Sequence, residues 1–244
     1  MALSFEHTEI RQGSFTLNAN LSLPGQGHFA IIGPSGAGKS TLFQALAGFT
    51  PLSRGAIRWQ GQRIDTLPPG QRPLSILFQD QNLFPHLTVA QNLGLGLDPA
   101  LRRLDWGQVD HALEAVGLAG LGPRKPAQLS GGQQSRAALA RALLRARPIL
   151  LLDEPFAALG PALKGEMLDL VTKTARDTLV LMITHDPEDA HRFAPQTLVV
   201  TQGSVMPPRD TAILLAHPPP ELAQYLGKAD PTNSLSNPRP PNPS

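Results

Sequence analysis

Two early stretches, residues 3–10 and 14–23, alternate apolar and polar side chains, the period of strands with one buried face. A second kind of segment follows. "HFAIIG" (28–33), "PLSILFQ" (73–79), "PILLLDEP" (148–155), "TLVLMITH" (178–185) and "TLVVTQG" (197–203) are short, almost unbroken apolar runs. Such runs belong to strands covered on both faces, as in a parallel sheet. "AIRWQGQRI" (56–64) reads as a hairpin turning at Gln60 and Gly61. Helical patterns fill the intervals at 39–48, 131–146, 161–176 and 187–193. Strands alternating with helices after an antiparallel start predict an α/β fold. The interval 80–128 has no strong strand and carries helical patterns at 88–97 and 106–117, so it reads as a helical insertion in that core. Eight of the 25 prolines lie from Pro218 onward. A last short helix is expected to end at Tyr225 and Leu226, and 228–244 reads as a disordered tail.

Composition narrows the class. Of 244 residues, 41% are hydrophobic and 16% charged, the balance of a globular chain. The net charge of +2 is too small to imply a nucleic-acid surface. Arg136, Arg141, Arg145 and Arg147 recur at helical spacing, and the expectation for them is a solvated helix face. The chain has no cysteine, which excludes a disulfide scaffold and cysteine-ligated metal sites. No apolar run reaches the eighteen or so residues of a membrane span, and the N-terminus lacks a signal-peptide core. A soluble protein is expected, with any membrane association supplied by a partner.

The run "GPSGAGKST" (33–41) carries the first chemistry. Gly33, Gly36 and Gly38 let successive backbone N–H groups turn into one concavity, because no Cβ blocks positive φ. Pro34, Ser35 and Ala37 complete the loop, Lys39 adds a mobile positive charge, and Ser40 and Thr41 add hydroxyls, the first suited to Mg²⁺. Between a buried strand and a helix, this is the phosphate-binding pattern of P-loop NTPases, and the nucleotide expected is ATP. A second site agrees. Asp153 and Glu154 stand at the carboxyl end of a buried strand, where ligand sites of open α/β sheets lie. Asp153 can hold the Mg²⁺ that touches Ser40, and Glu154 can polarise a water in line with the γ-phosphate.

"LSGGQQSRAALARALL" (129–144) adds a second anion site. Ser130 is suited to cap a helix opened by Gly131, Gly132 and Gln133, with bare N–H groups at the positive end of its dipole. One domain needs no second γ-phosphate site unless that site serves another subunit. A homodimer follows, with ATP held between residues 33–41 of one chain and 130–133 of the other.

With these motifs in this order over residues 1–227, the chain resembles the ATP-binding-cassette (ABC) ATPases. The resemblance implies a RecA-like parallel sheet with flanking helices, an N-terminal antiparallel β-subdomain and an inserted α-helical subdomain at about 80–128. It makes Gln79 a sensor of Mg²⁺ and of the attacking water, and His185 a switch on the γ-phosphate. Two positions depart from the family pattern. Gly160 stands where an aspartate usually follows the Glu-Pro segment. Near the usual adenine-stacking aromatic the chain has Gln12, with Phe15 the nearest ring.

Within the family, residues 68–97, with Arg72-Pro73 and the Leu-Gly repeat, and residues 149–171 resemble the ATPases of bacterial thiamine importers. Iron, polyamine and phosphonate importers are the nearest rivals, and a degenerate cassette acting as an ATP-binding regulatory module is the reading from another class. The resemblance implies integral membrane permease subunits as partners, a solute-binding protein reached through them, no nucleic acid, and a peripheral place on the cytoplasmic face of the inner membrane. Leu83, Phe84 and Leu87, after Gln79, either pack the insertion's own core or line a groove for a permease helix.

Overall fold

The antiparallel start forms one end of a single mixed sheet. The computed structural model describes residues 2–80 and 83–226, so the expected tail at 228–244 lies outside the described residues. Strand β1 (Leu3–Gln12) pairs antiparallel with β2 (Phe15–Leu23) and with β4 (Arg54–Trp59), which turns back into β5 (Gln62–Arg63). Gln60 and Gly61 both sit at positive φ, 50° and 82°. A two-residue loop of that kind matches the twist of the strands it joins, as the Gln-Gly pair predicts.

The parallel half contains β3 (Gly27–Ile32), β6 (Leu74–Leu77), β7 (Ile149–Asp153), β8 (Leu179–Ile183) and β9 (Gln196–Thr201), in the spatial order β9-β3-β8-β7-β6. Two short strands had no sequence signal. Strand β10 (Ser204–Val205) runs antiparallel to β9 and parallel to β2, joining the two halves. Strand β11 (Arg209–Asp210) pairs with β9. Two residues carry no periodicity to read.

Helices cover both faces. They are α1 (Lys39–Ala47), α2 (Val89–Leu97), α3 (Trp106–Ala115), α4 (Gly131–Leu144), α5 (Pro161–Thr174), α6 (Pro187–Phe193), α7 (Thr211–Ala216) and α8 (Pro220–Tyr225). Several end two residues before the sequence pattern does. Gly117 (φ 67°) and Ala146 (φ 45°) leave helical geometry just beyond α3 and α4.

Strand alternation sorts the core. Ile31, Leu151, Leu181 and Ile183 face the cluster that holds Leu42, Phe43 and Leu46 of α1. Ala30, Ile32, Leu150, Leu152, Val180 and Met182 face the opposite cluster, with Leu139 of α4, Leu168 of α5, Phe193 of α6 and Leu222 of α8. Burial on both sides is why these strands read as continuous apolar runs. A third cluster joins Val89 and Leu93 of α2, Val109 and Leu113 of α3, and Ala137 and Ala140 of α4.

Helix α4 is therefore covered on two sides, which corrects the expectation of a solvated arginine face. Arg136 is half-buried, and its Nη1 donates to the carbonyls of Val116 (2.8 Å) and Gly117 (3.2 Å) at the end of α3. Arg141 is half-buried, its guanidinium 5.8 Å from the Phe84 ring centroid, and burial draws its pKa down. Arg145 is also half-buried, and Arg147 is exposed.

Candidate functional site

Parallel register brings the motif residues to one edge. Ile31 stands beside Ile183, Ile183 beside Asp153, and Leu152 beside Leu77. The segments leaving β3, β8, β7 and β6 exit at one level, so Gly33, His185, Glu154 and Gln79 all lie one or two residues past this row. This is the carboxyl edge of an open α/β sheet.

The loop after β3 needs its glycines for space. A Cβ at Gly33 (φ 151°) would stand 2.1 Å from the carbonyl oxygen of Val200, and one at Gly38 (φ 105°) would stand 2.8 Å from the Phe15 ring. Gly38 caps α1 without a side-chain hydrogen bond, which leaves the amides of the first turn, at Lys39, Ser40 and Thr41, for an anion. Lys39 is only 5% exposed, and its Nζ donates to the carbonyls of Gly33 (2.7 Å) and Pro34 (2.9 Å). An ammonium has three N–H donors, so one remains to reach a phosphate. Burial draws the Lys39 pKa down, while Glu154 and Asp153 act to raise it.

Asp153 ends β7, buried. Burial first, and then the Glu154 charge, hold its pKa above the usual carboxylate range against the Ser40 hydroxyl, Lys39 and His185. Its Oδ1 is buried with no hydrogen-bond partner among the described residues. An orphaned carboxylate oxygen beside a serine hydroxyl fits a hard divalent cation. Mg²⁺ is typically held by one or two carboxylates and completes its shell with waters and substrate phosphates.

Glu154 follows at φ 48°, a conformation that costs a non-glycine residue about 1–3 kcal/mol and is retained mostly at functional sites. Its N–H donates to the Ile183 carbonyl at 3.1 Å, which ties the strained residue to β8. Its Oε1 contacts Nε2 of His185, so the two side chains form a pair across adjacent strand ends. The loop that carries His185 is braced on both sides. Asp186 N–H donates to the Thr184 hydroxyl (3.1 Å), and Lys164 of α5 donates to Asp186 (2.9 Å) and Asp189 (3.0 Å).

The structure thus gathers Lys39, Ser40, Asp153, Glu154 and His185. Gln79 shares the edge, exposed in the turn two residues beyond β6 rather than within the strand. Ser130 and Gln133 form a capping box at the start of α4: the Ser130 hydroxyl accepts from Gln133 N–H (3.3 Å), and Gln133 Oε1 accepts from Ser130 N–H (2.9 Å). Gly160 is the uncapped N-cap of α5. The Gln12 amide joins Thr41, Gln44 and Thr50, while Phe15 packs against Gly38. Sequence reasoning missed Tyr225, forty residues from His185 and hydrogen-bonded to it. Its one hint was a lone tyrosine closing a final short helix.

The family model described as ABC transporter matches residues 16–157, more than half of the chain. The chain belongs to the ABC transporter family. Two relatives in this family, from Cereibacter sphaeroides and Ruegeria sp., are each named thiamine import ATP-binding protein ThiQ. They are 60% and 56% identical over 229 residues, which is 92% of this chain and 99% of each relative. Among solved structures, a dimeric post-hydrolysis state of the ATP-binding cassette MJ0796 bound to ADP and Pi is similar, with a TM-score of 0.76 and 26% identity over 86% of this chain and 98% of that one. The chain is an ABC ATPase, and the expected P-loop fold, with its mixed sheet and flanking helices, is borne out.

Proposed function

We propose that this ABC ATPase dimerises on ATP and hydrolyses it to energise uptake of thiamine, or its phosphate ester, through a separate membrane permease. The observation that carries the reading is the Lys39–Asp153–Glu154–His185 constellation at one sheet edge. The thiamine-named relatives, similar over almost their whole length, support the substrate.

Residues 33–41 cradle the phosphates, with Lys39 offering its remaining N–H to the transferred group. Ser40, Asp153 and Gln79 would hold the Mg²⁺, which when bound neutralises charge on the phosphate oxygens. Glu154 takes the proton of the attacking water, and His185 turns its Nε2 from Glu154 to the γ-phosphate. A Cβ on Gly131 would meet nothing within 4 Å in its own chain. The space beside that residue is open, which leaves residues 130–133 accessible to a partner's nucleotide.

A groove of about 450 Å³ lies between the core and the insertion, lined by Phe49, Ile76, Phe78, Phe84, Leu95 and Arg141 among others. Phe84 is 45% exposed, whereas Leu83 packs inward against two core clusters and Leu87 is half-buried. Of the two readings of this loop, Leu83 fits packing and Phe84 fits docking of a short permease helix. No helix among the described residues is long and apolar enough to cross a membrane. The permease holds the chain on the cytoplasmic face of the inner membrane, and a solute-binding protein acts through that permease.

The test is Glu154→Gln in the purified chain. A group in the Glu154 role contributes about 10²–10⁴-fold to turnover. The variant should retain ATP and accumulate as a dimer by size-exclusion chromatography. Near-normal phosphate release from it would overturn the assignment.

A further inference from the structure

The structure assigns Tyr225 as a positioning residue for His185, an inference that rests on His185 acting at the γ-phosphate. The Tyr225 hydroxyl donates to the His185 carbonyl oxygen at 3.1 Å, and lies 3.3 Å from His185 Nδ1. A phenol has one proton. Glu154 Oε1 can only accept, so in the neutral ring Nε2 carries the hydrogen and Nδ1 is left as an acceptor toward the phenol. The phenol proton lies between the carbonyl oxygen and Nδ1 and serves both, and a donor on the far nitrogen holds the ring in this tautomer. Nε2 then faces Glu154 as an N–H donor, the role a γ-phosphate oxygen also requires.

One hydroxyl therefore fixes both the backbone and the ring of His185. It does so from a well-anchored element. Leu222 of α8 is fully buried in the cluster beneath the parallel strands, and the Tyr225 ring packs against the same cluster. Burial, then the Glu154 and Asp186 charges, raise the phenol pKa, so the hydroxyl keeps its proton at neutral pH. Without it, an exposed histidine on a loop would sample rotamers that aim Nε2 away from the site. The end of the described chain thus reaches into the catalytic edge.

Tyr225→Phe removes the hydroxyl and leaves the packed ring. In the purified full chain, turnover should fall about tenfold, by analogy with the loss when the partner that orients a metal-bound histidine is removed. The KM for ATP should stay within about twofold, and the melting temperature should hold. In a His185→Ala background the same change should cause no further loss, because both act through one group. Tyr225 is the chain's only tyrosine, so fluorotyrosine labelling gives a single ¹⁹F resonance. That resonance should move when Mg-ATP is added to Glu154→Gln, and should not move in Glu154→Gln/His185→Ala.

Wild-type turnover in Tyr225→Phe, with His185→Ala slow, would overturn this inference alone. Equal losses in both backgrounds with a lowered melting temperature would also overturn it, by reducing Tyr225 to a structural role. Wild-type turnover in His185→Ala would overturn the underlying reading of His185 as well.

Discussion

Replacing Arg72 with methionine should lower the melting temperature by roughly 6–20 °C while leaving the phosphate loop able to bind ATP. Arg72 is 3% exposed, and its guanidinium donates only to backbone carbonyls among the bonds described: Leu67 (3.0 Å), Ala45 and Leu46 (2.7 Å each) and Asp65 (2.8 Å). Ala45 and Leu46 belong to the last turn of α1, where carbonyls lack helical partners and the dipole favours a cation. Gly48 makes room for the group, since a Cβ there would lie 2.7 Å from Arg72 Nε. Methionine keeps most of the apolar stem but donates nothing. Leu46 then loses a buried bond outright, at about 1–3 kcal/mol. Ala45 keeps a second donor, the Gly48 N–H at 3.2 Å, and the half-buried carbonyls of Asp65 and Leu67 recover part of their loss from water. With about 0.5 kcal/mol for each of these three partly compensated bonds and about 0.3–1 kcal/mol for the lost charge at the helix end, the sum is about 3–5 kcal/mol. A chain of this size shifts by about 2–4 °C per kcal/mol. Scanning calorimetry with and without Mg-ATP is the assay. Arg72→Met melting within about 2 °C of the wild type would refute the claim that these bonds hold α1 to the 65–72 segment. A lysine there should recover less than half, because one ammonium cannot span three directions.

Gly160→Asp should be tolerated, because a Cβ at Gly160 meets nothing within 4 Å, and it should add a few tenths of a kcal/mol as an N-cap for α5. If the absent carboxylate limits communication between paired sites, the Hill coefficient for ATP or the coupled turnover should change; identical values would mean that other groups already serve. Phe84→Ala should lower permease-stimulated hydrolysis in the reconstituted complex, since central apolar anchors cost about 2 kcal/mol or more when truncated. The isolated subunit's melting temperature should barely move, and a large drop would make Phe84 a core residue instead.

The sequence carried what a local constraint writes into it. Residues 149–153 and 179–183 could be read as parallel strands because both faces are buried, which leaves no polar alternation. Residues 33–41 could be read because the backbone there needs glycine at fixed intervals. The α4 arginines misled for the opposite reason. Their spacing describes one helix, whereas their burial depends on what two other layers bring against it. Tyr225 and the Lys164–Asp186–Asp189 brace were invisible, being contacts between segments about twenty to forty residues apart that leave no pattern at either end. Strand β10 was too short to carry a period, yet it joins the two halves of the sheet.

Helix α4 explains how the two candidate interfaces are tied together. Its first turn carries residues 130–133, and one face packs on the core sheet through Ala138, Leu139 and Ala142. The other face packs on the insertion through Ala137 and Ala140. Alanines on both faces bring neighbours close to the helix backbone and leave few side-chain rotamers to absorb a shift. Farther along, Arg141 lies over Phe84, and buried Asn92 locks Phe84 to α2 by accepting from its N–H (2.7 Å) and donating to its carbonyl (3.1 Å). Packed layers of this kind move as bodies rather than deform. A tilt of the insertion against the sheet must therefore carry Phe84 with α2, and must either take α4 along or break the packing of Ala137 and Ala140. In the first case residues 130–133 move whenever the groove at Phe84 moves. A loss of stimulation in Phe84→Ala with intact basal hydrolysis would place the fault in that transmission, and not in the Glu154–His185 pair.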